Sequence, residues 1–234
     1  MADNSAERDE ETADGTFASP PCYMHEIDPA YAGLVGDRRQ ANDVARWRKV
    51  ERQRLIAARL AVPIAVREEY AARIAADLDR LVPVSSATVV SAYWPFRGEL
   101  DLRPWMASTH ARGIRVALPV VVAKGSPLVF REWHPRARLE PGVWNIPVPA
   151  DGAEVTPTVV IAPLVGFDPD GYRLGYGGGF FDRTLAVQFP RPLAIGVGHP
   201  VGSLPTIYPQ SHDIPMDWIV TGDKAPAQRQ ARAP

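Results

Sequence analysis

The chain holds a single cysteine, Cys22, in 234 residues. One thiol excludes an intramolecular disulfide framework and suits a reducing compartment, so the cytoplasm is the expected location. Charge imbalance is missing as well: 26 basic and 27 acidic residues leave a formal net charge of −1. Such a balance gives no global field for nucleic acid or an anionic membrane, and neither is expected as a partner. No apolar stretch approaches the ~20 residues needed to span a bilayer, and the acidic N-terminus carries no signal-peptide core. The five histidines have no zinc-like spacing. No serine stands in Gly-x-Ser-x-Gly, so a hydrolase elbow is not visible, and there is no internal repeat.

Hydrophobic residues make up 46% of the chain, which fits a globular protein with a substantial core. Six acidic residues in the first fifteen mark residues 1–30 as a solvated acidic tail. Residues 31–224 are expected to form one domain, and 225–234 a second loose tail. Helix signals run from Arg38 to Leu60, with Val44, Trp47, Val50, Leu55 and Ile56 between many charges. A second helix follows Pro63, with Val66, Tyr70, Ile74, Leu78 and Leu81 as its buried stripe. Strands are expected at Thr88–Trp94, Arg115–Val122, Leu128–Trp133, Thr158–Val165, Leu193–Val197 and Trp218–Val220, with helices around 101–112 and 180–189. This alternation argues for an α/β fold whose central sheet is mostly parallel. The proline-rich stretch between Trp133 and Pro157 shows no regular period and reads as a long loop.

The most informative segment is Gly171-Tyr172-Arg173-Leu174-Gly175-Tyr176-Gly177-Gly178-Gly179-Phe180-Phe181-Asp182-Arg183. It lies between an apolar strand and an amphipathic helix. Four glycines in five positions let backbone approach a ligand closely, and N–H groups at a helix start attract anions. Arg173 and Arg183 could pair with phosphate oxygens, and Asp182 could hold a divalent cation beside them. A tight turn that needs glycine only for geometry is the plainer alternative. The segment is neither a P-loop, which ends Gly-Lys-Ser/Thr, nor the dinucleotide pattern, which would need glycine where Phe180 stands. Arg48 and Arg52 share one face of the first helix, with Lys49 and Arg54 close by. Tyr93-Trp94-Pro95-Phe96-Arg97-Gly98-Glu99 follows a strand, where ligands of open α/β sheets bind. His212-Asp213 offers a second carboxylate or a plain turn.

From about Arg48 to Thr221 the sequence resembles the 5-formyltetrahydrofolate cyclo-ligase family, the 5,10-methenyltetrahydrofolate synthetases. The likeness rests on Phe167-Asp168 with the glycine segment, on Tyr93-x-Pro95 with Glu99, on Leu118-Pro119-Val120-Val121, and on His212-Asp213. It implies a three-layer α/β sandwich similar to ribose-phosphate isomerases and CoA transferases. It also implies ATP- and Mg²⁺-dependent closure of 5-formyltetrahydrofolate to 5,10-methenyltetrahydrofolate, with release of ADP and phosphate. On this resemblance Arg173, Leu174, Gly175, Tyr176, Gly177, Gly178, Gly179, Phe180 and Phe181 hold ATP, and Tyr176 to Phe180 also touch folate. Asp182 and Asp213 bind Mg²⁺, and Trp94 and Glu99 bind the pterin. Arg173, Tyr176 and Asp182 are the expected catalytic residues, and a monomer is expected. The family's N-terminal basic pair falls on Arg48 and Arg52, which sets Arg67 where the family has an arginine in its second helix. The chain departs from the family in having Arg48 where lysine is usual, which leaves Lys49 as an alternative. It also reads Phe180-Phe181-Asp182 for Tyr-Tyr-Asp, and Asn145-Ile146-Pro147-Val148-Pro149 where a glutamate often precedes the proline. A non-catalytic folate- or nucleotide-binding paralogue, or a related enzyme with another pterin or phosphate substrate, are the alternatives in function.

Overall fold

The computed structural model describes residues 38–229. The expected acidic tail over 1–30 lies outside the described residues. By its contacts the chain divides into Met1–Val44 and Ala45–Pro234. The sheet and every site residue below belong to the second unit, and the first contributes only the start of a helix to the description.

Among the described residues there are four α-helices: α1 (Arg38–Ala61), α2 (Ile64–Leu81), α3 (Arg103–Ala111) and α4 (Phe180–Val187). Pro63 directly precedes α2, where its fixed φ suits helix entry and its missing N–H costs nothing. On α2 the expected stripe is observed, with Ile74 and Leu78 fully buried. On α1 the expectation fails at Val50, which is 61% exposed.

The main sheet contains β1 (Val89–Ser91), β2 (Arg115–Val120), β3 (Val129–Trp133), β6 (Val159–Pro163), β9 (Leu193–Val197), β10 (Trp218–Val220) and β11 (Ala227–Gln228). Its order is β11-β10-β9-β6-β1-β2-β3. The five central strands are parallel, while β3 and β11 close the two edges antiparallel. Ala227–Gln228 falls in the stretch expected to be loose; there it pairs with Trp218–Ile219. Two residues carry too little pattern to announce a strand, and the partner's edge supplies the order.

Residues alternate between two cores. Val159 and Ile161 of β6, with Val116 and Leu118 of β2, pack with α2 and α3 through Ile74, Leu78, Trp105 and Met106. Val160 and Ala162, with Ala117, pack on the other face with Leu185 of α4. Helix, sheet and helix make three layers, as period-two burial on a parallel sheet requires. A third cluster joins Leu55 of α1 to Val165, Leu174, Leu204 and Ile207.

Two short hairpins complete the fold. β4 (Leu139–Pro141) pairs with β5 (Pro147–Pro149), inside the stretch expected to be irregular. Prolines hide it from a strand reading, since proline cannot donate to a ladder and is tolerated only at edges. β7 (Gly166–Phe167) pairs with β8 (Arg173–Leu174) and leads into the glycine loop. The chain leaves β1 towards β2 on one side and returns to β6 on the other. The ends of β1 and β6 therefore flank a topological switch point, where open α/β sheets bind ligands.

Candidate active site

One stripe of α1 is lined with arginines. Arg48, Arg52, Leu55 and Arg59 recur at spacings of four, three and four, so they share a face. Arg48 donates through Nε to Ile207 O at 3.0 Å and through Nη2 to Tyr208 O at 2.9 Å. Its fork also grips Asp213, Nη2 to Oδ2 at 2.5 Å and Nη1 to Oδ1 at 3.3 Å. Arg52 Nε donates to Gly175 O at 2.7 Å. Arg52 thus sits against the glycine loop and Arg48 against the Asp213 turn, whereas Lys49 is exposed. His212 is exposed too.

Behind the loop lies a buried ion pair. Arg173 Nη2 donates to Asp182 Oδ2 at 2.7 Å, and the other carboxylate oxygen accepts the Ile214 N–H at 3.2 Å. Asp182 is not a helix cap: the N-cap of α4 is Gly179, in the left-handed region and without a side-chain cap. The two aspartates are therefore linked, since the residue after Asp213 binds Asp182. Burial lowers the Arg173 pKa from its ordinary value, and the charge of Asp182 opposes that shift. The guanidinium lies 5.4 Å from the Phe181 ring centre, and that of Arg183 lies 5.3 Å from Phe180. Among the described residues, Nε of Arg173 and Nε of Arg183 are buried with no acceptor. A buried donor left unpaired costs about 1–3 kcal/mol; two of the four such side-chain atoms among the described residues flank the glycine loop. Leu174 differs: its side chain is buried in the cluster with Leu55 and Ile207.

Gly177 shows why the loop excludes side chains. Its φ is +96°, and a Cβ there would lie 3.3 Å from the Arg52 guanidinium carbon. Gly177→Ala is expected to strain the backbone and displace Arg52. ATP affinity should fall by roughly tenfold, the effect of about 1.4 kcal/mol, and the strain should lower the melting temperature by a few degrees. Calorimetric titration with ATP, beside a thermal melt, checks this.

The third feature is a buried carboxylate. Glu99 Oε2 accepts the Phe96 N–H at 2.9 Å, and Oε1 accepts the Tyr176 hydroxyl at 2.9 Å. Arg59 Nη1 stands 3.9 Å from Oε1. Burial pushes the Glu99 pKa up to about 7, against the opposing pull of Arg59, the Tyr176 hydroxyl and the Phe96 N–H. Burial and the Glu99 charge also raise the Tyr176 pKa, so its phenol stays protonated. His199 Nε2 lies 2.9 Å from Gly98 O. A carbonyl only accepts, so Nε2 carries the proton, and burial holds the His199 pKa down to about 4. The neutral ring braces the turn that presents Glu99. Glu99 also lines a cavity of about 500 Å³ with Ala71, Ala75, Pro104 and Trp105, and with Arg67 and Asp101. That volume lies in the range of small-molecule pockets.

Trp94, expected beside Glu99, is half-buried against the core, with the Arg103 guanidinium 5.1 Å from its ring. Sequence reasoning missed two residues. Trp144, at the tip of the β4–β5 hairpin, stacks on Phe96 with centroids 6.4 Å apart and planes at 12°, and its ring is 6.0 Å from Tyr176. It is 54% exposed, and both Trp144 and Asn145 have positive φ, at 57° and 60°. An exposed tryptophan on a strained tip was the available signal, masked by the irregular reading of that stretch. The other is Arg59, which is 2% exposed. Its place on the Arg48–Arg52 stripe was legible from spacing alone.

A family model described as the 5-formyltetrahydrofolate cyclo-ligase family matches residues 44–222. The 5-formyltetrahydrofolate cyclo-ligase of Escherichia coli K12 is 34% identical over 166 residues, covering 68% of this chain and 91% of the relative. That of Mycolicibacterium smegmatis is 33% identical over 178 residues, covering 73% and 91%. The solved structure of Aquifex aeolicus 5,10-methenyltetrahydrofolate synthetase superposes with a TM-score of 0.66 at 26% identity, covering 80% of this chain and 95% of that one. A 5,10-methenyltetrahydrofolate synthetase from Mycoplasma pneumoniae gives 0.62 at 18% identity, a likeness of fold.

Proposed function

This chain belongs to the 5-formyltetrahydrofolate cyclo-ligase family, and from that premise we propose how its residues divide the work. The protein is an ATP-dependent enzyme that closes 5-formyltetrahydrofolate to 5,10-methenyltetrahydrofolate. The glycine loop, with Arg48, Arg52, Arg173 and Arg183, takes the ATP phosphates. The observation that carries this is the convergence of arginines on the loop: Arg52 bonds Gly175 O, Arg183 bonds Gly178 O and Arg173 bonds Asp182. Phosphate oxygens would meet these guanidinium groups and the N–H groups at the helix start.

Glu99 takes the pterin. Each carboxylate oxygen already accepts one hydrogen bond and keeps a lone pair for the ring's N–H donors. Tyr176, hydrogen-bonded to Glu99, and the Phe96 and Trp144 rings beside it provide flat faces. An N-formyl group is a poor electrophile, so its oxygen first attacks the γ-phosphorus as the bond to the β-phosphate oxygen breaks and ADP leaves. N10 then attacks the formyl carbon, the carbon–oxygen bond breaks, phosphate departs with the former formyl oxygen, and the N10 proton is lost. The protein contributes no nucleophile. Its arginines neutralise charge and hold the two substrates in line.

Asp182 and Asp213 fit a magnesium ion in donor chemistry, being hard oxygen ligands beside the loop. Among the described residues no three metal-ligating side chains converge. The ion would therefore be held by these two carboxylates together with phosphate oxygens, the usual manner of magnesium. It would supply charge neutralisation on the phosphates. A monomer in the cytoplasm completes the proposal, the location resting on the single cysteine, which suits a reducing compartment; no described helix is long and apolar enough to cross a membrane.

Incubation with 5-formyltetrahydrofolate, followed by the absorbance of the methenyl product, tests the assignment. Turnover should require ATP and collapse when divalent cations are chelated. Equal ring closure without ATP would end it, and full activity under chelation would end the magnesium assignment.

A further inference from the structure

We propose that Arg59 is a positioning residue for the pterin site: acting through Tyr176, it holds the Glu99 carboxylate in place and in its accepting form. The proposal rests on the reading of Glu99 as the pterin acceptor. Arg59 distributes its donors over three separate pieces of chain. Nε donates to Arg97 O at 3.0 Å, in the loop after β1. Nη1 reaches Leu164 O at 3.4 Å, after β6. Nη2 donates to the Tyr176 hydroxyl at 2.6 Å, in the glycine loop. A phenol has one proton. Because Tyr176 Oη accepts from Arg59, that proton is free to go to Glu99 Oε1, and the 2.9 Å contact is where it goes. Tyr176 is thereby assigned as a relay to Glu99, so its hydroxyl is not a proton source for the substrate.

A planar fork suits this task in a way an ammonium does not, because three acceptors on three elements must be met at fixed angles. The guanidinium also supplies the positive charge closest to Glu99. Arg67 and Glu68 on α2, and Asp101 on its own loop, line the same cavity as Glu99. Tyr93 just after β1, Arg97 and neutral His199 complete the set. With Arg59 in place, the Glu99 pKa is about 7. Without it burial is less opposed and the pKa rises further. Pterin binding needs the carboxylate, so wild-type affinity for folate should fall as pH drops through about 7, and loss of Arg59 should move that fall to higher pH.

The test is binding of 5-formyltetrahydrofolate, without ATP, by calorimetry from about pH 6 to pH 9 in the full-length protein. Arg59→Met should shift the midpoint alkaline by about one unit, the lower end for losing a neighbouring opposite charge. Affinity at pH 7 should drop by more than the roughly fivefold that the shift alone gives, and towards the alkaline end it should recover only to the level set by the missing fork. Arg59→Lys should return the midpoint to within about 0.3 units, since the charge is restored, but weaken binding at every pH because the fork is lost. Tyr176→Phe breaks the relay without removing the buried charge; it should shift the midpoint in the same direction by less, and it stands as the probe if Arg59→Met does not fold. Arg59→Met and Tyr176→Phe variants that weaken folate equally at all pH, or leave the profile unmoved, overturn the proposal. Glu99→Gln separates this outcome from failure of the underlying reading. A flat profile there with unshifted Arg59 and Tyr176 variants rejects the role of Arg59 alone. Wild-type affinity and profile in Glu99→Gln reject Glu99 as the acceptor, and the proposal with it.

Discussion

Asp182→Asn should lower turnover by at least about 100-fold, the scale seen when one preorganised electrostatic group is taken from a transition state. The variant keeps the shape of the side chain, but its single amide oxygen can accept from Arg173 or from the Ile214 N–H and not from both. It loses the charge and one of the two acceptors. Arg173 is left buried without a counter-ion, so a cost of about 2–4 kcal/mol in stability is expected alongside, short of the full penalty for deleting a partner. Because Gly179 occupies the N-cap position of α4, the loss cannot be one of capping. Thermal stability, turnover at a temperature where the variant is folded, and the magnesium dependence of ATP use should be measured together. Near-wild-type turnover with an unchanged magnesium requirement would remove Asp182 from the site.

Glu99→Gln should weaken folate binding by about 1.5–3 kcal/mol, the worth of a charge-assisted hydrogen bond. That is roughly 10- to 150-fold in affinity, with ATP affinity held within a few-fold. Glutamine presents one acceptor and one donor where the pterin meets two acceptors. The contrast with wild type should also shrink below about pH 7, because the wild-type carboxylate then gains the proton that burial favours. Separate titrations of the two ligands decide the point. If ATP affinity falls as far as folate affinity, Glu99 is not a pterin-specific contact.

The reach of the sequence differed between the frame and the site. Strands Leu193–Val197 and Trp218–Val220 were legible to the residue because they are short apolar runs buried on both faces. The β4–β5 hairpin was not, since Pro141, Pro147 and Pro149 contradict strand propensity and its order comes from pairing at an edge. In the site, the glycine loop, Arg173, Asp182 and Glu99 could be picked out by residue type and by resemblance. Their partners could not. Nothing in the spacing says that Asp182 is held by Arg173, or Asp213 by Arg48; such pairs form across 9 and 165 positions of chain through the fold. Arg59 escaped for a different reason. An arginine on a charged helix reads as solvated, and only the packing of α1 against the glycine loop makes it a buried cation.

The central claim is that ATP is spent on the formyl oxygen. The most direct test places a heavy-oxygen label in the formyl group of 5-formyltetrahydrofolate, runs the reaction with unlabelled ATP in unlabelled water, and analyses the released phosphate by mass spectrometry. Transfer of the label into inorganic phosphate, one atom for each methenyltetrahydrofolate formed, is the predicted result. Phosphate that carries no label while the methenyl product accumulates would contradict the account.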